Sequence, residues 1–396
     1  MTPSQPAVLR RGDRGPAVAD VRDRLVLSLD LPADAVQAAS GRSDAAFDDR
    51  VEMAVKCFQQ RRGLLVDGVV GPVTYAVLDG SRWSLGDRVL RYVPQSFLEG
   101  DDVGQLQDRL VQLGFRPGKV DGILGPETLA AVHAFQAAVG LVPDGTVGPE
   151  TIRAFSRLGR SVTGGSANAL REREQLRRSG HSLAGRVIVL DPGHGGADPG
   201  AVEGSLTEAD LAMDLASRVD TRLRAHGVRV VTTRTRHTDA GTDEDRAAFA
   251  NSCGADLVLS LHCDSQRNGP AHGVATFFYG AADHGGWSAT GERLADLLLR
   301  EVVARTGLTD CRVHPRTWPL LRRTRMPAVR LDFGYLTHPL DAALLADPHT
   351  LDRIAEGVVV AVQRLYLGDA DTTRTGMLRV DDLRRHLAEV RAAAGS

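Results

Sequence analysis

The stretch VIVLDPGHGGADPG, residues 187–200, decides the fold class because two kinds of local structure meet in it. Its first four residues are apolar and mostly β-branched, which is typical of a buried strand. The ten residues that follow contain four glycines and two prolines, which favour a loop. A packed core does not need the histidine at the centre of that loop, His194. The stretch therefore predicts a strand that ends in a functional loop.

The sequence after this loop alternates between helix and strand patterns. TEADLAMDLASRVDTRLRAHG has apolar residues at helical spacing, and VRVVTTR reads as the next strand. DEDRAAFANSCG then indicates a second helix, and ADLVLSLHC a third strand. This alternation predicts an α/β domain with a largely parallel sheet and helices on both faces.

Two histidines from separate strands are expected at one edge of this sheet. His194 follows the first strand, His262 closes the third, and Glu208 begins the helix after the His194 loop. Ligands of open α/β sheets gather at the carboxyl ends of the strands. Two imidazoles and one carboxylate are a familiar ligand set for catalytic zinc, so the three residues predict a metal site.

Each residue taken alone has a simpler interpretation. Ser205 and Glu208 match the S-x-x-E pattern of a capping box. His194 fits a loop hydrogen bond, and His262 fits a core histidine whose hydrogen bonds are satisfied. The occurrence of all three at the ends of elements in one domain favours the metal site.

The first 160 residues contain an internal repeat. DGILGPETLAAV at 121–132 recurs as DGTVGPETIRAF at 144–155, and DGVVGPVTYAVL at 67–78 matches the latter. VRDRL at 21–25 corresponds to LQDRL at 106–110. Each copy predicts three helices, with Asp-Gly turns and Gly-Pro-x-Thr helix starts. The two copies resemble peptidoglycan-binding modules, although any single Asp or Gly could serve only a turn or a cap.

Length and composition exclude several classes of protein. A chain of 396 residues with 42% apolar content predicts two or three domains, and a net charge of −2 argues against nucleic-acid binding. The four scattered cysteines suit a reducing compartment. The sequence begins without the apolar segment of a secretory signal and contains no apolar run long enough to span a membrane. We therefore expect a cytoplasmic protein, which associates with a membrane only through partners.

The α/β segment resembles the zinc-dependent N-acetylmuramoyl-L-alanine amidases, which cut the bond between muramic acid and the stem peptide. The resemblance is carried by LDPGHGGADPGA, TEADLAMDLA, DRAAFAN, ADLVLSLHCDS and MPAVRLDFGYLTHPLDAALL, in the order found in that family. It implies that Zn²⁺ is bound by His194, Glu208 and His262. Cys263 is not expected to join them, because successive strand residues point to opposite faces.

The resemblance also identifies a departure from the family. The family's catalytic carboxylate is a glutamate in a VELGFLSN-like segment, and the matching residue here is Asp332. His338 replaces the usual asparagine. An aspartate retracts the carboxylate by roughly 1.3 Å, and a misplacement of about 1 Å costs on the order of a hundredfold in rate. Hydrolysis is therefore expected to be weak, unless the backbone compensates.

Six arginines and no acid lie between Cys311 and Leu331. Arginine suits the carboxylates of a stem peptide or the phosphates of a nucleotide-linked precursor, and a solvated surface is the alternative. The candidates for substrate binding are Arg322, Arg323, Arg325 and Arg330.

The predicted organisation has five parts. Peptidoglycan-binding modules occupy residues 8–80 and 97–157, a linker 158–185, the amidase-like domain 186–367 and a tail 368–396. The tail contains Thr372, Thr373 and Thr375, which are candidate phosphorylation sites because phosphate would add about −1.5 to −2 charges.

Two functions are compatible with this organisation. The chain resembles an actinobacterial branch of the family with two N-terminal modules and no export signal. That branch implies a regulator of peptidoglycan precursor synthesis, with protein partners in that synthesis and a Ser/Thr kinase. The alternative is an active amidase that hydrolyses the muramoyl-peptide amide bond. Both would bind peptidoglycan, a muropeptide or its precursors.

Overall fold

The computed structural model describes residues 8–28, 45–158, 167–180, 182–235, 238, 240–265, 271–281 and 286–366. The helices of these ranges are α1 (Pro16–Leu27), α2 (Asp49–Arg61), α3 (Pro72–Gly80), α4 (Asp101–Gln112), α5 (Pro126–Ala138), α6 (Pro149–Arg157), α7 (Ala167–Arg178), α8 (Glu208–Ala225), α9 (Asp243–Ser252), α10 (Ala289–Thr306), α11 (Pro319–Arg323), α12 (Pro339–Leu345) and α13 (Pro348–Tyr366). The strands are β1 (Val187–Pro192), β2 (Val202–Glu203), β3 (Leu206–Thr207), β4 (Arg229–Thr232), β5 (Leu257–Asp264), β6 (Val274–Ala281), β7 (Gly286–Trp287), β8 (Asp310–Arg316) and β9 (Ala328–Tyr335).

The N-terminal half consists of two small helical modules, α1–α3 and α4–α6, each with its own apolar core. The repeated glutamines hold each module's turn against its helix. Gln59 donates to the Asp67 carboxylate at 2.7 Å, and Gln136 donates to Asp144 at 2.9 Å. The three-helix organisation predicted for each copy is confirmed.

A mostly parallel sheet forms the centre of the C-terminal domain. Strands β4, β1, β5 and β9 lie side by side and parallel, β6 runs antiparallel to β9, and β8 runs parallel to β6. The predicted α/β class is therefore confirmed. His262 on β5 is paired with Asp332 on β9, so both residues lie at the same level near the carboxyl ends of their strands.

The two faces of the sheet are covered differently. Helices α8, α10 and α13 cover one face with the large apolar core of the domain. Cys263 is buried in that core. Its side chain therefore lies on the opposite face of the sheet from His262, as the alternation of strand residues predicts. The short helices α9 and α11 cover part of the opposite face, where residues such as Phe277 and Tyr279 are buried.

The second module packs on that opposite face. The Tyr279 hydroxyl donates to the backbone carbonyl of Val120 at 2.9 Å, and Lys119 donates to the carbonyls of Leu321 and Thr324. Helix α7 connects the same two bodies, because its Arg171 donates to the carbonyl of Phe115 while its neighbour Glu172 accepts from Thr290. The linker predicted at 158–185 thus contains a helix that contacts both sides.

The first module contacts the end of β8. The backbone amide of Thr317 donates to the carbonyl of Gly63 at 3.1 Å, and its hydroxyl donates to the carbonyl of Arg62. None of the helices described here is both long enough and apolar enough to cross a membrane.

Candidate metal centre

His194, Glu208 and His262 come together at the carboxyl edge of the sheet. The Nε2 atom of His194 lies 3.2 Å from one oxygen of Glu208, and the Nδ1 atom of His262 lies 2.9 Å from the other. One ligand atom from each residue lies within 4.8 Å of the other two. The structure therefore brings together the three residues that the sequence nominates as ligands.

The loop after β1 holds His194 in an uncommon backbone conformation. Its φ of 56° lies in the left-handed region, which residues other than glycine rarely adopt. Gly195 and Asp198 exchange two backbone hydrogen bonds of 2.7 and 3.0 Å that close the turn. The Asp198 carboxylate lies 2.7 Å from Nδ1 of His194, which leaves Nε2 directed at Glu208. Asp198 thus orients the ring in the way that partners of metal-binding histidines commonly do.

Glu208 is the first residue of α8, and its carboxylate does not cap that helix. The cap is Thr207, whose hydroxyl accepts from the amide of Asp210. The capping-box interpretation of Ser205 and Glu208 is therefore wrong. The Glu208 carboxylate instead accepts from the backbone amides of Ala201 and Cys263 at 3.0 and 3.1 Å.

The ionisation of the cluster suits a cation. Burial alone would raise the pKa of Glu208, but hydrogen bonds from His194 and His262 outweigh it and hold that pKa well below its ordinary value. Burial and, secondly, the charge of Arg330 lower the pKa of His262. The hydrogen bond with Glu208 raises the pKa of His194, so this imidazole would release its proton when a metal binds, as metal binding to histidine requires.

Two glycines let the three ligands approach one another. A Cβ atom on Gly193 would lie 2.2 Å from the ring of His262. A Cβ on Gly200 would lie 2.6 Å from Glu208 and 2.7 Å from His194. Side chains at these two positions would occupy the space that the ligands need. The close approach of backbone and ring explains why the loop is rich in glycine.

The donor set fits zinc. Tetrahedral zinc with ligand bonds of about 2.0–2.1 Å holds its donor atoms roughly 3.3 Å apart. The imidazole nitrogens of His194 and His262 lie 3.2 and 2.9 Å from the two oxygens of Glu208, one from each, and both separations are close to that spacing. Two nitrogens and one oxygen leave a fourth position for water or substrate, as in catalytic zinc sites.

Asp332 lies beside this cluster and is held in an ion pair. Its side chain is 2% exposed, and its two oxygens accept from Nε and Nη2 of Arg330 at 2.6 and 3.2 Å. Burial opposes the charge of Arg330, but Asp332 outweighs that effect and raises the pKa of the guanidinium above its ordinary value. Arg330 also lies over the ring of Trp318, 4.9 Å from its centroid.

The other predicted substrate arginines lie elsewhere. Arg322 and Arg323 form ion pairs with Glu99 of the second module. The side chain of Arg325 is exposed and precedes the amino end of β9, whereas Asp332 lies toward its carboxyl end. A direct contact of these three with substrate stays a prediction.

The structure describes His338 but not the three threonines of the tail. His338 lies at the start of α12, where its ring stacks on His272 with centroids 4.6 Å apart. Thr372, Thr373 and Thr375 lie outside the described residues.

Two groups that support the proposed metal ligands were not predicted from the sequence. Arg234 is 4% exposed and donates to the carbonyls of Pro192, Gly193 and Ala209, so it holds the His194 loop against α8. Its only sequence signal is a basic residue at the end of the predicted strand VRVVTTR.

The second group lies beneath the cluster. Asp191 accepts from Ser260, Arg246 and Thr233 at 2.6–2.7 Å, which ties β1 to its neighbours under the metal ligands. An aspartate at the end of an apolar strand was the available signal for this network.

Comparisons with known proteins agree with this geometry. Residues 188–364 match the N-acetylmuramoyl-L-alanine amidase family model, and residues 14–78 and 99–155 match the peptidoglycan binding domain model. The N-acetylmuramoyl-L-alanine amidase CwlM of Mycobacterium tuberculosis is 46% identical over 97% of this chain and 96% of its own length. A germination-specific N-acetylmuramoyl-L-alanine amidase of Bacillus subtilis is 30% identical over 48% of this chain and 83% of its own length.

Among solved structures, an N-acetylmuramoyl-L-alanine amidase from Clostridium difficile 630 is 29% identical with a TM-score of 0.43. The match covers 46% of this chain and 97% of that one. The similarity to CwlM, by contrast, extends over both modules and the metal-site domain. The chain therefore belongs to the N-acetylmuramoyl-L-alanine amidase family, on its CwlM branch.

Proposed function

We propose that this protein is a cytoplasmic, CwlM-like regulator of peptidoglycan precursor synthesis with weak or no hydrolysis. In this proposal the amidase domain binds Zn²⁺ and recognises a muropeptide or its precursor. This binding regulates precursor synthesis, with little or no hydrolysis of the bound ligand. The observation that carries the proposal is the ion pair between Arg330 and Asp332.

A general base for amide hydrolysis must take a proton from water and return it to the leaving amine. Asp332 is the carboxylate that matches the family's catalytic glutamate, and it is one methylene shorter. Both of its oxygens already accept hydrogen bonds from Arg330. A charge-assisted pair of this kind is strong, and breaking a buried one costs about 3–5 kcal/mol. The shorter side chain of Asp332 and its ion pair with Arg330 both oppose its action as a general base.

The metal ligands would remain competent in such a protein. His194, Glu208 and His262 would hold the ion, and Asp198 would keep the His194 ring in place. When bound, zinc supplies Lewis-acid polarisation of the amide carbonyl and of a water molecule. The same residues therefore serve binding of a muramoyl-peptide amide whether or not a proton is transferred.

The location and the partners are part of the proposal. Four free thiols, at Cys57, Cys253, Cys263 and Cys311, support a reducing compartment. A Ser/Thr kinase acting on Thr372, Thr373 or Thr375 would add negative charge to the tail, and protein partners in peptidoglycan synthesis would respond to it.

The second candidate function is an active zinc amidase that hydrolyses the muramoyl-peptide bond. The complete ligand cluster favours it, and the relative CwlM bears the name of an amidase. Under this candidate Asp332 would still be the base, released from Arg330 when substrate binds.

A double substitution separates the two candidates. Arg330→Met with Asp332→Glu removes the ion pair and restores the longer carboxylate, while methionine keeps an apolar contact with Trp318. We expect kcat/KM on a muramoyl-peptide to rise by about 10- to 100-fold over the wild type, the size associated with roughly 1 Å of reach. The assay is release of the free peptide by zinc-loaded, full-length protein.

Zinc content, measured by elemental analysis, is the matched control and should be the same in both proteins. No gain in the double variant would show that the ion pair is not what limits hydrolysis. High wild-type turnover that disappears in Asp332→Ala would establish the active amidase instead.

A further inference from the structure

The geometry points to a subsite for the terminal carboxylate of a stem peptide at Arg316, at the far end of the sheet face that carries His262 and Asp332. This inference rests on the proposed recognition of a muropeptide and adds where that peptide's free end binds. It concerns an arginine of β8 outside the predicted substrate set.

Arg316 is a half-buried arginine without an ion-pair partner among the described residues. In the part of the chain that the structure describes, it forms no ion pair, and its guanidinium hydrogen bond goes to the carbonyl of the adjacent Pro315 at 3.0 Å. Burial lowers the pKa of Arg316 and outweighs the opposing charge of Asp332, which forms its ion pair with Arg330 and raises the pKa of that residue. Buried arginine is normally paired, so an anion from outside would complete this site.

Aromatic rings connect Arg316 to the metal edge. Its guanidinium carbon lies 5.5 Å from the centroid of Phe277 and 5.9 Å from that of Trp318, and Arg330 lies over the same Trp318 ring. The rings of Phe277 and Trp318 are 4.7 Å apart. The two aromatic rings thus lie between the guanidinium groups of Arg316 and Arg330. This arrangement suits a peptide with apolar side chains and a free carboxylate.

Sheet register gives the length of this path. Asp332 pairs with Ala275 and Arg316 pairs with Tyr279, so the two positions differ by four residues along β6 and by two strand spacings. With about 3.3 Å per residue and about 4.8 Å per strand, the Cα atoms are roughly 16 Å apart. The guanidinium carbons of Arg316 and Arg330 are closer together, because they lie 5.9 and 4.9 Å from the same Trp318 centroid and so at most about 10.8 Å from each other. An extended peptide covers about 3.3–3.6 Å per residue, so three to five residues span the path.

The first module fixes the position of Arg316. Thr317, the next residue, is bonded through its amide and hydroxyl to Gly63 and Arg62 of that module. A Cβ atom on Gly63 would lie 3.2 Å from the Cα of Arg316, so the two backbones are in close contact. Holding the backbone of Arg316 in place before the ligand arrives lowers the entropic cost of binding.

The test compares two ligands that differ only at the peptide terminus. N-acetylmuramoyl-pentapeptide is titrated as the free acid and as the C-terminal carboxamide into zinc-loaded, full-length protein, by calorimetry. We expect the wild type to bind the acid at least about tenfold more tightly, because a hydrogen bond to a charged group contributes about 1.5–3 kcal/mol. Arg316→Gln should bind both ligands equally, with the affinity that the wild type has for the amide.

Two further variants make the test decisive. Arg316→Lys keeps the positive charge but lacks the planar guanidinium that donates two hydrogen bonds to a carboxylate. It should retain part of the preference for the free acid. Arg300→Gln, at an exposed arginine on α10, should retain all of it. An undiminished preference in Arg316→Gln, or no preference in the wild type, would overturn the subsite. Failure of the wild type to bind either ligand would instead overturn the proposed recognition of muropeptides.

Discussion

At the scale of single residues, the proposed metal centre depends on a glycine, Gly193, beside one of the ligands. Gly193 sits against the His262 ring, and a Cβ there would approach a ring atom to 2.2 Å, far inside van der Waals contact. We predict that Gly193→Ala displaces the His262 ring or the loop and lowers zinc affinity by at least about 100-fold, since ligand geometry tolerates only small displacements. The measurement is competition against a chromophoric chelator.

Gly125→Ala provides the comparison, because open space surrounds that glycine in the second module. It should leave zinc affinity unchanged. Wild-type affinity in Gly193→Ala would mean that the metal does not use His262 in the observed position, and the assignment of the ligand set would fail.

At the scale of elements, periodicity predicted the strands and helices that carry the site. Apolar runs that end in Gly, Asp or His marked the carboxyl ends of β1 and β5, so His194 and His262 could be placed on one edge without coordinates. The i, i+2 relation of Arg330 and Asp332 on a strand also implied a shared face, and their ion pair was within reach of the same argument.

The partners of α11 were not predictable in this way. Arg322 and Arg323 are satisfied by Glu99, more than 200 positions earlier in the chain. Nothing local distinguishes an arginine that docks a module from one that binds a substrate. Arg316 could not be distinguished from its neighbours for the same reason, because only the fold shows that this half-buried arginine has no ion-pair partner among the described residues.

At the scale of the whole molecule, a half-buried lysine couples the second module to the amidase domain. Lys119 lies over the ring of Tyr279, 4.4 Å from its centroid, and burial lowers its pKa to about 8 from the ordinary 10.5. Below pH 8 the cost of burying the charge is fully present. Between about pH 8 and 10.5 the unfolded chain binds more protons than the native one, so stability should rise with pH.

We predict that Lys119→Met removes this rise. From pH 8 to 10.5 the wild type should gain up to about 3 kcal/mol in unfolding free energy relative to the methionine variant, measured by chemical denaturation. Lys56→Met, on the surface of the first module, should follow the wild type. Parallel pH profiles for the wild type and Lys119→Met would contradict a lysine with a lowered pKa at this interface.

We propose that a complete set of metal ligands coexists with an Asp332 carboxylate that is held by Arg330. The most direct test is release of peptide from a muramoyl-peptide by the wild type, loaded with one zinc per chain, beside His262→Ala as the baseline. We predict stoichiometric zinc in the wild type and a rate within about tenfold of the baseline. A wild-type rate several orders of magnitude above His262→Ala would contradict it and make the protein a working amidase.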